Sequence, residues 1–492
     1  MELLKCQLPP ELWMVICEFM EPDELVKYMG IHSVFYDWTM DLRYREVELK
    51  DLQPSRLLKL IEKLKTPDAA GRVRVLTIFP VALQSAIHDD PNGPQAKPFH
   101  PLLRAIVQLL RFKQERQRKK ARNRLIKERY HDVKDAGQEL TGVESVNLLW
   151  HATSGVPIHF DETLFTAIKP IFGSNLERLY LEIPLVALVK THSYLTALDD
   201  LEELELDLSE DPMGSASKLD PNIAITSALL PFINRLSRSL RVLSLTIKNH
   251  AQLSPLFHGL GYFPRLERLM LNIPFDLHHI NNPSDFNRLL VNHPNLRELY
   301  ITHLSCCMSH QSPREDIGKR WVWSCFQGIA FTDLKTLSLG LTHAFHLRFM
   351  NAMTPLAQSL SSLILTEPVL HYADVENVLT FLTAPQLSSL TLFVDTLTPQ
   401  LLALLAEQRP DLEYLDLKIT QCSRAEGIQG PHDEPGFIYG LETYHKSHHQ
   451  IYSAWKLRRL SIAMWIYTLG PREQPELMKA IAAKLPKLRY PV

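Results

Sequence analysis

The sequence predicts an α/β fold: an N-terminal trio of short helices followed by an irregular α/β solenoid with a parallel sheet. Three observations predict it. The spacing apolar-x-x-apolar-x-apolar recurs along most of the chain. Stretches of helical periodicity separate its copies. Residues 8–42 carry three short helical patterns instead.

The trio comes first. In "LPPELWMVICEFMEPDELVKYM", Leu12, Ile16 and Phe19 or Met20 share one helix face at i, i+4 and i+7 or i+8. Pro22 is placed to start a second helix, with Leu25, Tyr28 and Met29 at the same spacing, and Gly30 is placed to end it. A third helix is expected from Ser33 through Phe35 and Trp38 to Leu42. Three helices in about 35 residues bury too little surface to be stable alone. They must pack on the first repeat or on another protein.

The repeats follow. Weak copies stand at Tyr44 (YREVEL), Val73 (VRVLTI) and Val143 (VESVNL). Strong copies begin at Leu176, Leu201, Leu240, Leu266, Leu296, Leu334, Leu360, Leu387, Leu412 and Leu457, spaced by 25 to 45 residues. The last three letters of each copy alternate in-out-in, as a short strand does. Between them lie helical stretches such as "LLKLIEKL" from Leu57, "ADVENVLTFL" from Ala373 and "TPQLLALLAEQ" from Thr398, the last with a Thr cap and Pro at its first turn. Strand, loop, helix, loop, repeated, is the form of a leucine-rich-repeat solenoid, in which stacked neighbours supply the core that no unit has alone. The usual Asn or Cys three residues after the last apolar position is replaced by Pro184, Ser209, Lys248, Pro274 and Leu304, so turns that vary between repeats are expected. Insertions are expected near 87–130, 209–222, 305–319 and 421–450, from their Pro, Gly, polar and His content.

The opening stretch resembles an F-box. Leu8-Pro9, Glu11-Leu12, Ile16, Phe19-Met20, Leu25, Ile31 and Phe35 carry the likeness, and it runs directly into the repeats. Where the family often has a Cys followed by Lys or Arg, this sequence reads His32-Ser33. The resemblance implies an F-box at residues 1–45, a leucine-rich-repeat-like domain at 46–492, and a substrate-recognition adaptor of an SCF-type cullin–RING ubiquitin ligase. It implies docking on the Skp adaptor through Leu8, Pro9, Leu12, Ile16, Leu25 and Phe35, with the repeats holding an unidentified target protein. The alternative is a repeat scaffold that binds a partner without any link to ubiquitination.

The outward positions of the strands are the expected target surface. They give Arg178, Tyr180 and Glu182, then Glu203, Glu205 and Asp207, later Arg268, Glu298 and Tyr300. The run Glu203, Glu205, Asp207, beside Glu182 and Tyr180, is a negative strip suited to a basic segment of the target.

Composition and motifs narrow the function further. The chain of 492 residues is 45% apolar and 22% charged with a net charge of −2, which points to neither membrane nor nucleic acid as a partner. No run of about 18 apolar residues occurs, and the N-terminus lacks the pattern of a secretory signal. A cytoplasmic or nuclear location is expected, with six cysteines read as reduced thiols. No P-loop, G-x-S-x-G or dinucleotide glycine pattern appears, so neither an enzyme nor a cofactor is expected. "HLSCCMSH" (His303 to His310) holds adjacent cysteines, a poor zinc spacing, and "HKSHH" (His445, His448, His449) lacks a fitting carboxylate or Cys, so no metal is expected at either. Cys17 and Cys325 sit among apolar neighbours and read as packing. The basic run Arg111 to Arg129 reads as a solvated helical extension, with nuclear import and RNA or phosphate binding as its alternatives.

Overall fold

The computed structural model describes residues 8–50, 53–89, 104–150, 162–173, 175–209, 220–248, 251–304, 315–341, 358–382, 386–427, 433–466, 470–473, 475–485 and 487–488. They fall into two units, Met1–Ser239 and Leu240–Val492.

The first unit opens with α1 (Pro10–Glu18), α2 (Pro22–Tyr28) and α3 (Ser33–Tyr44). Pro10 and Pro22 occupy first-turn positions, where the missing N–H costs nothing. Asp23 and Glu24 sit at the positive end of α2. His32 caps α3, its Nδ1 accepting from the Val34 N–H at 3.2 Å. Helix α2 ends at Tyr28, closed by the Ile31 N–H on the Tyr28 carbonyl at 2.9 Å. Gly30 is not in the left-handed region expected of a helix-ending glycine; among the described residues only Gly328 and Gly427 have positive φ. Cys17, Leu25 and Phe35 form the small core of the trio, with Trp13, Met20, Val34 and Trp38 around them.

The repeats of this unit then place β1 (Glu46–Leu49), β2 (Val75–Ile78), β3 (Ser145–Leu149), β4 (Arg178–Pro184) and β5 (Glu203–Ser209) side by side in parallel. Between them run α4 (Pro54–Leu64), α5 (Pro67–Ala70), α6 (Pro80–His88) and the long α7 (Arg104–Glu139), followed by shorter helices. The register aligns like with like: Leu179 pairs Leu204, Leu181 pairs Leu206 and Ile183 pairs Leu208, all buried. Each such side chain contributes about 1.5–3 kcal/mol by leaving water.

The second unit repeats the pattern with β6 (Val242–Ile247), β7 (Arg268–Ile273), β8 (Glu298–His303), β9 (Thr336–Gly340), β10 (Ser362–Leu370), β11 (Ser389–Leu397), β12 (Tyr414–Cys422) and β13 (Arg459–Ile466), all parallel. Each sequence copy of the repeat seats one strand. Thr398 caps the helix Pro399–Gln408 as its sequence suggests, accepting from the Leu401 N–H at 3.1 Å. One strand has no repeat copy: β14 (Gly470–Glu473) pairs antiparallel with β13, so the sheet of this unit is not wholly parallel.

A backbone clamp takes the place of the missing side-chain ladder. The carbonyl just before one strand accepts two successive N–H groups at the start of the next. Glu144 holds Glu177 and Arg178, Glu177 holds Glu202 and Glu203, and the pattern recurs at Arg241, Glu267, Arg297, Lys335, Ser361, Ser388 and Glu413, at 2.8–3.1 Å. These are the x-x positions of the spacing, so register is fixed whatever side chain stands there.

Of the expected insertions, residues 90–103, 210–219, 305–314 and 428–432 lie outside the described residues. Within 421–450 the structure places the helix Glu434–Ala454, which buries Phe437, Leu441 and Tyr452. It packs on Pro399–Gln408 and on the helix Pro475–Ala482, as a repeat helix does.

Candidate interaction surfaces

The helical trio leaves much of its apolar surface uncovered. Leu12 is 48% exposed, Ile16 37%, Phe19 86% and Ile31 66%, with Val15 and Val26 also exposed. Leu8 is half-buried and Pro9 exposed at the start of α1, where the Pro9 carbonyl accepts from the N–H groups of Leu12 and Trp13. Leu25 and Phe35 do not belong to this surface. Both are enclosed in the core of the trio, Leu25 at 0% exposure, and they shape the face from beneath rather than meet a partner. Trp13 joins them, its ring edge-on to Phe35 and stacked on His32. Helical spacing grouped Leu12, Ile16 and Phe19, which share the exposed surface; the enclosure of Leu25 and Phe35 depends on how α2 and α3 cross, which spacing does not encode.

One side chain ties the trio to the first repeat. Arg72, in the turn after α5, donates to Asp37 and Asp41 of α3, each at 2.7 Å, and to Asp68 at 3.1 Å. Asp68 also accepts from the Tyr36 hydroxyl at 3.0 Å. No sequence signal singled out Arg72, because its partners lie 31 and 35 residues away.

The outward face of the first unit carries the negative strip. In register, Arg178, Tyr180 and Glu182 stand opposite Glu203, Glu205 and Asp207. Glu203 and Glu205 are exposed; Tyr180, Glu182 and Asp207 are half-buried. Although the residue as a whole is exposed, partial loss of water around its carboxyl, then Asp207 and Glu203, pushes Glu205 above its ordinary value. Burial, then Glu182, Asp207 and Glu205, pushes the Tyr180 hydroxyl up to about 12. A hollow of about 530 Å³ just before these strands continues the acidic character, lined by Glu144, Glu177, Asp200 and Glu202 beside Arg74. Arg74 itself is held by the carbonyls of Gly71 and Gly142 at 3.0 and 2.9 Å. A Cβ at Gly142 would meet that guanidinium, which would have to move aside.

The second unit holds the other expected target residues, and they close on one another. The Arg268 guanidinium grips Glu298 across β7 and β8 at 2.7 and 2.9 Å, and Tyr300 donates to the same carboxylate at 3.0 Å. The bonds from Arg268 hold the Glu298 carboxyl below its usual range. Glu298 is half-buried, and its two oxygens already accept three hydrogen bonds, so its accepting capacity is largely spent on Arg268 and Tyr300.

The described members of the His and Cys clusters pack or hydrogen-bond within the fold. His303 Nδ1 accepts from the Phe275 N–H at 3.0 Å, while Cys306, Cys307 and His310 lie outside the described residues. His448 stacks on Tyr444, and His445 lies between His449 and Tyr452. Among the described residues no three His, Cys, Asp or Glu side chains converge as metal ligands. Cys17, Cys325 and Cys422 are buried, and burial pushes the Cys422 thiol up to about 12. None of the described helices is long and apolar enough to cross a membrane. Sequence reasoning also missed His293. It is buried, accepts from the Phe263 N–H at 2.9 Å through Nε2 and reaches the Leu289 carbonyl at 2.6 Å through Nδ1.

No family model and no curated protein matches the chain. Solved structures do. A chain in the crystal structure of the Rad7 and Elc1 complex in yeast is similar at 12% identity, over 87% of this chain and 97% of that one, with a TM-score of 0.36. The leucine-rich repeat-containing protein LegL7 from Legionella pneumophila is similar at 13% identity, over 73% and 95%, with a TM-score of 0.36. The TLR13–ssRNA13 complex is similar at 12% identity, over 67% and 43%, with a TM-score of 0.30.

Proposed function

We propose that the chain is a substrate-recognition adaptor whose helical trio docks on the Skp adaptor of a cullin–RING ubiquitin ligase while its repeats hold a target protein. The observation that carries this reading is the exposed apolar face of the trio. Leu12, Val15, Ile16, Phe19, Val26 and Ile31 stand in water around a core of three fully buried side chains. Such a face is half of an interface. Arg72 supports the reading by fixing the trio to the repeats, so that a docked adaptor would be held in a set direction.

On the repeats, the strip Glu182, Glu203, Glu205 and Asp207 with Tyr180 takes a basic segment of the target. Crowded carboxylates gain from a cation twice over, by attraction and by relief of their mutual repulsion. In the second unit, considered by itself, Arg268 and Tyr300 aligned by Glu298 are the candidate contacts.

The experiment is co-purification of the full chain with the Skp adaptor. Wild type should form a stoichiometric complex, and Leu12→Asp and Ile16→Asp should not, because each buries a carboxylate at an apolar contact. Failure of the wild-type chain to bind the adaptor would leave a repeat scaffold with no tie to ubiquitination.

A further inference from the structure

The basic run on α7 is the one strong charge feature that the adaptor reading leaves unused. Residues 111–129 hold ten Lys and Arg against two Glu, so a chain of net charge −2 keeps the rest of itself strongly acidic. The helix joins the body at its C-terminal end. Tyr130, Val133 and Ala136 are buried, and Arg129 donates to the carbonyls of Ala86, Ile87 and Asp89 at 2.8–2.9 Å. Two turns earlier, Arg122 reaches the His88 carbonyl at 3.2 Å. From Lys119 to Arg124 every residue is exposed, and Arg122 ties that stretch to the body on one side of the helix.

The charges left in solvent are ordered. Lys120, Arg124 and Lys127 are exposed and recur at i, i+4 and i+7, which puts them on one stripe, on the side away from Arg122 and Arg129. At 1.5 Å per residue the run from 120 to 127 is about 10 Å long. Lys119 flanks it.

We propose that this stripe binds the phosphate backbone of a nucleic-acid duplex without reading its sequence. A helix about 10–12 Å across matches a major groove about 12 Å wide. A lysine or arginine each turn meets a backbone with one negative charge per about 1.7 Å of axis. The competing occupants lack their requirements. A single strand needs aromatic platforms, and the nearest aromatic on the described side chains, Tyr130, is buried. Insertion into a membrane interface needs an apolar face, and Leu125 and Ile126 are half-buried toward the body. A protein partner needs buried apolar anchors at the centre of the contact, and the stripe offers none. Arg124 is held in part by Glu128 at 2.9 Å, an internal competitor for the phosphate.

The test uses the full chain and a fluorescently labelled random-sequence DNA duplex, with affinity measured by anisotropy between 50 and 200 mM salt. Wild type should bind at the lower salt, and a second duplex of unrelated sequence should bind within about twofold, since phosphate contacts carry no sequence information. In the variant Lys120→Ala/Arg124→Ala/Lys127→Ala the slope of log affinity against log salt should be shallower by about 2.7, so that wild type loses about forty-fold more affinity over that range. Equal slopes, or no wild-type binding at the lower salt, overturn the proposal. So does displacement of the duplex by poly-glutamate as readily as by unlabelled duplex, which would mark an acidic protein as the partner. Should the triple variant misfold, Glu128→Gln provides the second arm: it frees Arg124 and should tighten duplex binding, and unchanged affinity overturns the proposal.

Discussion

The Arg72 guanidinium and the Asp41 carboxylate, 2.7 Å apart, join the first repeat to the last helix of the trio. Asp37 and Asp68 complete the cluster, so one cation answers three carboxylates. Arg72→Ala should loosen the trio by about 1–2 kcal/mol, the carboxylates being partly solvated, and leave the repeats intact. Hydrogen exchange should show faster exchange in α1–α3 and unchanged protection in β2–β5. Equal protection throughout would mean that apolar packing alone holds the trio.

Leu25 and Leu12 should respond differently to truncation. Leu25→Ala opens a cavity in the core of the trio and should cost about 2–5 kcal/mol of its local stability. Leu12→Ser touches only the exposed face, should leave stability within about 0.5 kcal/mol, and should weaken adaptor binding at least tenfold. Proteolysis of the trio separates the two. Leu25→Ala with an unaltered cleavage rate would contradict the buried placement.

His293 should make the second unit acid-sensitive. Burial lowers its folded pKa below 6.5, although the bond to the Leu289 carbonyl opposes that shift. The unfolded chain therefore takes up a proton that the folded chain refuses. Its contribution is complete above about 6.5 and is lost as pH falls through the folded value. The urea midpoint should drop between pH 7.5 and 5.5, and His293→Gln should reduce that drop. An identical pH dependence in both proteins would exclude His293 as its source.

The negative strip should bind cationic peptide in a pH- and salt-dependent way. Changing Glu203, Glu205 and Asp207 to Ser should weaken capture of a Lys-rich peptide and flatten its salt dependence, with adaptor binding unchanged. The raised Glu205 pKa means that this carboxylate loses its charge earlier on acidification than an ordinary one, so peptide affinity should begin to fall above pH 4.5. Calorimetry at several pH values reads both effects. Equal affinity and equal salt dependence in mutant and wild type would remove the strip from the site.

Much of the fold was legible because one constraint repeats. Leu179, Leu181 and Ile183 must face inward in every copy of the unit, and the spacing displays it. The strand β14 was not legible, since Gly470-Pro471-Arg472-Glu473 has no apolar alternation and pairs only because β13 lies beside it. The acidic strip followed from strand period alone. Arg72 and His293 did not, because each acts on groups about 30 residues away that only the fold brings near. Leu25 and Phe35 mark the boundary between the two cases: their apolar character was plain, and their enclosure was a matter of helix crossing.

The strand β14 also has a consequence for self-association. A stack of parallel strands ends in a row of open backbone donors and acceptors, a template on which a second molecule can add its own strand. Here β13 spends that row on a reversed neighbour only four residues long, with Pro471 in its middle. A short rung with a proline has one N–H fewer to offer and resists extension. The reversal should therefore disfavour strand addition at this edge. A chain lacking residues 470–473 should elongate into concentration-dependent polymers, visible by light scattering, where the intact chain stays dispersed.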